Sequence, residues 1–227
     1  MKIADTIAQE FDKFSENYTE DMTRCVPYYQ KLLSSFVETL PVGFTPNRIL
    51  DLGCGNGNVS AQLINGFPKA TFDLLDASSQ MIALCKNRFE GFNIQYYKTF
   101  FNDFEFPNNT YDMVVAGFSL HHCEATDKQA IYKKIYTALK PGGIFGYTDL
   151  MIDRNKSEHK TLLKDWKHFV LQNYPNEEKW EWLMEHYAAY DKPESLETIL
   201  PWLNEAGFTK IEPFVNEQYW VYLKACK

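Results

Sequence analysis

Arg48-Ile49-Leu50-Asp51-Leu52-Gly53-Cys54-Gly55-Asn56-Gly57-Asn58-Val59-Ser60 reads as a strand, a glycine turn and the start of a helix. Ile49, Leu50 and Leu52 form the short apolar run of a buried strand. Three glycines follow at a spacing of two. Val59, Leu63, Ile64 and Phe67 then recur at helical spacing. A turn of this kind sets backbone N–H groups and the positive end of a helix against a ligand. Glycine is needed there wherever a Cβ would block close approach or φ must be positive. The spacing is not the dinucleotide fingerprint Gly-x-Gly-x-x-Gly, whose third glycine would fall on Asn58, and no Gly-Lys-Ser/Thr follows as in a phosphate loop. Taken alone, the stretch also fits a glycine-rich turn that binds nothing.

With an acid ahead of the first glycine, Asp51-x-Gly53-x-Gly55-x-Gly57 resembles motif I of the class I S-adenosylmethionine (SAM) methyltransferases. The turn Leu139-Lys140-Pro141-Gly142-Gly143 is a further mark of that family. The resemblance is most specific over 48–60, 74–78, 111–122 and 139–143.

The chain has 227 residues, room for one α/β domain with an insertion. Its 45% hydrophobic and 23% charged residues are those of an ordinary globule. A net charge of −7 argues against binding nucleic acid by broad neutralisation of its backbone. Five scattered cysteines (Cys25, Cys54, Cys85, Cys123, Cys226), with no Cys-x-x-Cys, read as reduced, mostly buried thiols of a cytoplasmic protein. The N-terminus lacks an apolar signal core, and no apolar run approaches the roughly 20 residues of a membrane span. The expected assembly is a monomer or homodimer.

In chain order, residues 1–40 form a helical arm. Phe11, Phe14 and Tyr18 share one stripe, and Leu32, Leu33, Phe36, Val37 and Leu40 another, with Pro27 between them. The stretch from Phe11-Asp12 through Tyr18 and Asp21-Met22-Thr23-Arg24 to Tyr28-Tyr29 resembles the arm of the carboxy-SAM synthase branch, as does the stretch from Ser195 to Phe208. Residues 41–227 form a Rossmann-like domain in which strand and helix signals alternate. Strands are expected over 71–75, 94–98, 111–116 and 144–148. Ser78 or Ser79 caps the helix carrying Ile82, Cys85 and Phe89. Thr126 and Gln129 read as a capping box. Residues 153–192 interrupt the alternation with two amphipathic stripes, one through Leu162, Trp166, Phe169 and Val170, the other through Trp180, Leu183, Met184 and Tyr187. A core helix returns with Leu196, Ile199, Leu200 and Leu203, runs through Pro201 and stops at Gly207. Strands over 208–214 and 218–223, joined by Val215-Asn216-Glu217, imply an antiparallel hairpin. The expected fold is α/β: a doubly wound, seven-stranded sheet whose last strand is antiparallel, as the resemblance also implies, with a helical insertion after strand 5.

The cofactor implied by the resemblance is SAM, with S-adenosylhomocysteine as product. Gly53, Cys54, Gly55 and Gly57 form its turn, and Asp51 sits behind it, accepting from backbone amides or holding the cofactor's amino group. Asp76, 25 residues after Asp51, ends the second strand where an acid accepts both hydroxyls of a ribose; an acid facing a helix N-terminus is the alternative. Ala77 follows it, and Met81 lies on the adenine face or fills the core. The family's acid past the third strand is missing; Phe101 falls there, and Asp103 comes a few residues late. Tyr18 and Arg24 bring the arm to the cofactor; Arg24 is the one cation placed near the methyl, with the methionine carboxylate of SAM or a surface acid as its alternative partner. Gly117 and Phe118 lead into His121-His122, at the carboxyl end of the fourth strand and so at the methionine end of the cofactor. His121 is the candidate general base, and a histidine that merely holds the loop is the alternative. No metal site is expected, because adjacent histidines on one loop rarely supply one and no further spaced ligand is evident.

Three functions compete: methyl transfer to a small-molecule acceptor, modification of SAM as in the carboxy-SAM synthases, and SAM binding in a non-catalytic regulatory subunit. A carboxylated SAM would need a cation for its extra anion. The resemblance puts an arginine on the helix over 196–205. That stretch has no Arg or Lys, and the matching position is Trp202. Plain SAM and methyl transfer are therefore the expectation.

Overall fold

Nearly continuous apolar runs place β1 (Arg48–Leu52) and β4 (Tyr111–Gly117) at the centre of a parallel sheet, where both faces are covered. The protein is described by a computed structural model over residues 3–14 and 17–227. Parallel partners are β2 (Thr71–Asp76), β3 (Ile94–Lys98) and β5 (Leu139–Leu150). β6 (Thr209–Glu217) and β7 (Trp220–Cys226) complete seven strands in the order β3-β2-β1-β4-β5-β7-β6, and β7 runs antiparallel to both neighbours. Chain order reverses between β1 and β4, so a crevice opens outside their carboxyl ends.

Alternate residues of each strand enter opposite apolar layers: Ile49, Met113 and Val115 one, Leu50, Val114 and Ala116 the other. The first layer takes in α3 (Tyr29–Glu38), α4 (Asn58–Gly66), α5 (Ser79–Arg88), α7 (Glu158–Asn173) and α8 (Glu178–Tyr190). The second takes in α6 (Ala125–Ala138) and α9 (Leu196–Ala206). Two further helices, α1 (Ile3–Phe14) and α2 (Tyr18–Cys25), precede α3.

Several local expectations change. Among the described residues, the N-terminal segment holds three helices rather than two. Tyr18 opens α2 instead of continuing a stripe with Phe11, and the Phe14 side chain lies outside the described residues. Leu32, Leu33 and Phe36 are buried in the main core, so the part over the site is α1 and α2. Thr126 and Gln129 form no capping box: Glu124 is the N-cap, without a side-chain cap bond, and Thr126 is already inside α6. Of the two serines, Ser78 caps α5, its Oγ accepting from the Met81 N–H at 3.1 Å. The hairpin turns at Gln218-Tyr219, both with positive φ (49° and 75°), while Val215, Asn216 and Glu217 pair in β6. That two-residue left-handed turn lets the strands twist together.

Candidate functional site

The glycine turn adopts the backbone its residues predict. Gly53, Gly55 and Gly57 have φ of 71°, 53° and 87°. Their roles differ. A Cβ on Gly53 would meet Ser119 Cβ at 2.4 Å, and one on Gly55 would stand 3.5 Å from the Tyr18 ring. One on Gly57 would meet Phe89 at 2.4 Å, on the core side of the turn. The Gly53 and Cys54 N–H groups donate to the Leu75 carbonyl at 2.8 and 3.0 Å, holding the turn against β2. Asp76 Oδ2 accepts from the Gly55 N–H at 2.9 Å, and its Oδ1 from the Ser78 N–H at 2.8 Å. Burial pushes the Asp76 carboxyl up to about 6, against these two N–H donors. Burial also raises Asp51 to about 7; Ser60 donates to it at 2.5 Å and the Asp76 charge adds to the rise.

A pocket opens over this turn. It is walled by Gly53, Gly55, Asp76, Ala77, Met81 and Phe101, with Tyr18 and Phe118 at its inner end. α1 lines the pocket with Ile7, Ala8 and Phe11, and its Asp12 ties it to α5: Asp12 Oδ1 accepts from Ser78 Oγ at 2.6 Å and the Gln80 N–H at 3.1 Å. Despite some desolvation, these two donors hold Asp12 below the usual carboxylate range. Thr19 of α2 accepts from Asn56 Nδ2 at 2.7 Å and donates to Asn58 Oδ1 at 2.9 Å, tying the arm to the turn itself.

Other expected positions lie elsewhere. Cys54 is buried beneath the turn, 3.9 Å from Cys85 Sγ, and Asp51 accepts from Ser60 rather than from the turn's amides. Neither reaches the pocket, nor does Gly57. Gly117 is a packing position, where a Cβ would meet Val59 at 2.5 Å. Asp103 is exposed, and Asn102 takes the place on the pocket wall beside Phe100 and Phe101. Arg24 turns away from both pockets: it donates to Glu20 at 2.9 Å and to the Asn173 carbonyl, over the Tyr174 ring. Trp202 is half-buried among the second apolar layer.

A second pocket adjoins the first. Its walls are mostly apolar and come from α2, the insertion helices and the β7 end, including Met22, Trp166, Trp182, Leu183 and Trp220. Phe11, Tyr18, Phe118 and His122 line both pockets. Phe118 holds a left-handed φ of 53° and packs between Tyr29 and Trp220, at ring distances of 5.6 and 6.2 Å. Among the described residues, Lys192 is the only Lys or Arg on either wall, and it pairs with Glu124 at 3.5 Å.

Polar groups gather where the pockets meet. His121 Nδ1 lies 2.5 Å from Asp149 Oδ1, and the His121 N–H donates to Asp149 Oδ2 at 3.1 Å. Nδ1 therefore carries the proton toward the carboxylate, leaving Nε2 for the pocket. Burial works against charging His121, but Asp149 and Asp191 raise its pKa overall. Burial and the neighbouring His121 push His122 down to about 4. Asp191 ends α8. The Lys192 N–H donates to the His121 carbonyl at 2.7 Å, fixing Asp191 beside the pair. His121, His122 and Asp191 offer one donor atom each within 4.8 Å of one another. The histidine pair thus does have a distant partner. No spacing rule finds it, because Asp191 and His186 reach the loop only through the packing of the insertion.

Residues 49–143 match the family described as a methyltransferase domain. Over 216 residues the chain is 26% identical to the carboxy-S-adenosyl-L-methionine synthase of Campylobacter fetus subsp. fetus, covering 89% of this chain and 88% of that protein. Over 96 residues it is 31% identical to the ubiquinone/menaquinone biosynthesis C-methyltransferase UbiE of Desulfotalea psychrophila, covering 42% and 38%. Its fold superimposes on human N-acetylserotonin methyltransferase in complex with SAM with a TM-score of 0.64, at 16% identity, over 97% of this chain and 56% of that one.

Proposed function

The chain belongs to the class I SAM-dependent methyltransferases, and we propose that it transfers the SAM methyl group to a small, largely apolar acceptor bound between the arm and the insertion. The observation that carries this reading is the pair of adjoining pockets. One lies over the glycine turn and Asp76, the other among aromatic side chains, and they meet at Phe11, Tyr18, Phe118 and His122. A sulfonium methyl is already activated. The protein's work is to align nucleophile, carbon and sulfur and to keep water out. In this reading Asp76 accepts the ribose hydroxyls through lone pairs not used by Gly55 and Ser78. Met81, Phe101 and Asn102 hold the adenine. Tyr18 and Phe118 form the wall through which the methyl passes. His121, oriented by Asp149, is the group that meets the acceptor's proton-bearing atom. The acceptor is a small molecule and not nucleic acid, and the enzyme acts in the cytoplasm as a monomer or homodimer.

The long match to carboxy-SAM synthases supports a second reading, modification of SAM itself. Against it, Arg24 is committed to Glu20 and Asn173, and Trp202 lies away from both pockets. Among the described residues the one Lys or Arg on either wall, Lys192, already pairs with Glu124, so an added carboxylate would be buried without a free cation. Mass spectrometry of the ligand that co-purifies decides between the two: SAM or S-adenosylhomocysteine supports methyl transfer, and carboxy-SAM overturns it. Calorimetry with S-adenosylhomocysteine tests the pocket. Binding is expected for the protein as purified, and Asp76→Ala should weaken it by roughly 2–4 kcal/mol through loss of two charge-assisted hydrogen bonds.

A further inference from the structure

The place where the pockets meet holds more polar groups than an apolar acceptor uses. Three imidazole nitrogens surround one oxygen: His122 Nδ1, His121 Nε2 and His186 Nε2 stand 3.3, 3.6 and 3.6 Å from Asp191 Oδ1. These separations exceed the 2.7–2.9 Å of a charge-assisted hydrogen bond. Among the described residues, buried Asp191 Oδ1 and both His122 nitrogens make no hydrogen bond at all. Buried polar atoms left in this state are costly and call for a missing partner. The spacing says what kind. Donors bound tetrahedrally at about 2.0–2.1 Å lie about 3.3–3.4 Å apart.

We propose that His121 Nε2, His122 Nδ1 and Asp191 Oδ1 bind a first-row divalent transition metal ion, zinc in particular, with its open position toward His186 and the acceptor pocket. A second observation supports the site independently. His121 Nδ1 is held by Asp149 at 2.5 Å, and Asp149 in turn accepts from the Tyr147 hydroxyl at 3.0 Å. A carboxylate behind a ligating histidine is the usual device that fixes tautomer and ring orientation. The ligands are also pre-placed, since the Lys192 N–H bond to the His121 carbonyl clamps the end of α8 onto the histidine loop. Two imidazoles and one carboxylate suit zinc and its first-row neighbours, whereas calcium and magnesium demand oxygen. Three protein ligands with an open position is the arrangement of metal sites that act on a substrate. With the ion bound, His121 is a ligand. The role given to it above, which rests on the proposed methyl transfer, would then pass to the cation, which would acidify a coordinated hydroxyl or thiol of the acceptor, the neighbouring His186 imidazole taking the released proton.

The test uses the full chain, stripped with a chelator and titrated with zinc and then cobalt(II). Calorimetry and the visible ligand-field bands of cobalt report binding directly, without an assay for activity. One tight equivalent is expected, with cobalt bands of low-coordinate type. Asp191→Asn and His122→Ala should each abolish the tight site, and Asp149→Asn, a positioning change, should weaken it by ~10–100-fold. Circular dichroism confirms folding of each variant. If a variant does not fold, histidine-ring NMR of the unaltered protein replaces it, and zinc must shift the His121 and His122 ring signals. Zinc and cobalt binding no tighter to the unaltered protein than to a folded Asp191→Asn variant, or ring signals that zinc leaves in place, overturn the proposal. S-adenosylhomocysteine binding, measured in parallel, separates this failure from failure of the cofactor site.

Discussion

A glycine with positive φ serves either its own backbone or its neighbours, and substitution separates the two. Gly142 has φ of 78°, and among the described residues no heavy atom beyond its own chain neighbours lies within 4 Å of the place a Cβ would take, so only its backbone needs glycine. Gly142→Ala should cost about 1–2 kcal/mol, the penalty of a left-handed L-residue. Gly57 has φ of 87°, and a Cβ there would also abut Phe89 at 2.4 Å and Cys85 at 3.2 Å. Gly57→Ala adds overpacking to the same penalty and should cost about 2–5 kcal/mol. Urea denaturation checks the order, and equal losses would mean that Phe89 yields freely. The same pair explains what a motif tells and what it hides. The sequence pattern marks Gly53, Gly55 and Gly57 alike as cofactor residues. Packing divides them, and only the first two reach the pocket. Asp76 follows the motif logic because its place at a strand end is set by the chain itself. Arg24 and Asp103 do not, because the direction of a side chain on a helix or loop depends on partners, here Glu20 and Asn173 for Arg24.

Elements with strong periodicity were legible where they pack on the sheet. β1 to β4 fall within a residue or two of their expected bounds, since a run of apolar residues between polar turns leaves little choice. The hairpin register was not legible. Gln218 and Tyr219 are not the Asn-Gly of a left-handed turn, so nothing in the sequence marks them over Val215-Asn216-Glu217 as the connection. The insertion shows the same limit at a larger scale. Its stripes read plainly as helices, yet Trp166 proves to be a core residue, donating to the Cys25 carbonyl at 2.6 Å and packing on Trp180, Tyr187 and Trp220. Deleting 153–192 would therefore strip the core as well as the pocket proposed for the acceptor. The arm offers a cleaner experiment. Asp12 of α1 caps α5 from outside, through Ser78 and the Gln80 N–H. Asp12→Ala should release α1 at a cost of about 0.5–2 kcal/mol, as for loss of an N-cap. Limited proteolysis should then cut within α1 faster in the variant, and S-adenosylhomocysteine should bind more weakly. Unchanged cleavage would show that the Asp12 bonds do not hold α1 in place.

Across the whole molecule, the glycine turn and the pocket over it rest on two buried carboxylates whose ionisation the fold opposes. Burial raises Asp51 to about 7 and Asp76 to about 6, from 3.8 for a free aspartate. A raised folded pKa means that the folded chain holds more protons than the unfolded chain between the two values. These groups therefore favour folding most below about pH 4, and that contribution is lost as pH rises to about 7. Other carboxylates, such as Asp112 beside Lys140 at 2.9 Å, are held low and act in the opposite sense. The total curve is thus less telling than a difference. Asp51→Asn cannot ionise, and its carbonyl can still accept from Ser60. Without ligand, Asp51→Asn should be more stable than the unaltered protein at pH 8, by about 2–4 kcal/mol, and the gap should close toward pH 4. With Asp76 on the ribose as proposed above, SAM would reverse the balance there, because ribose hydroxyls and a nearby sulfonium favour the ionised carboxylate. The stabilisation by saturating SAM should therefore be larger at pH 8 than at pH 5, where Asp76 must first give up a proton. Thermal denaturation of both proteins across this range, with and without SAM, measures both effects. A gap between the two proteins that does not change with pH would mean that Asp51 is charged in the fold at every pH tested, and that the site is polar enough to hold both anions before any ligand arrives.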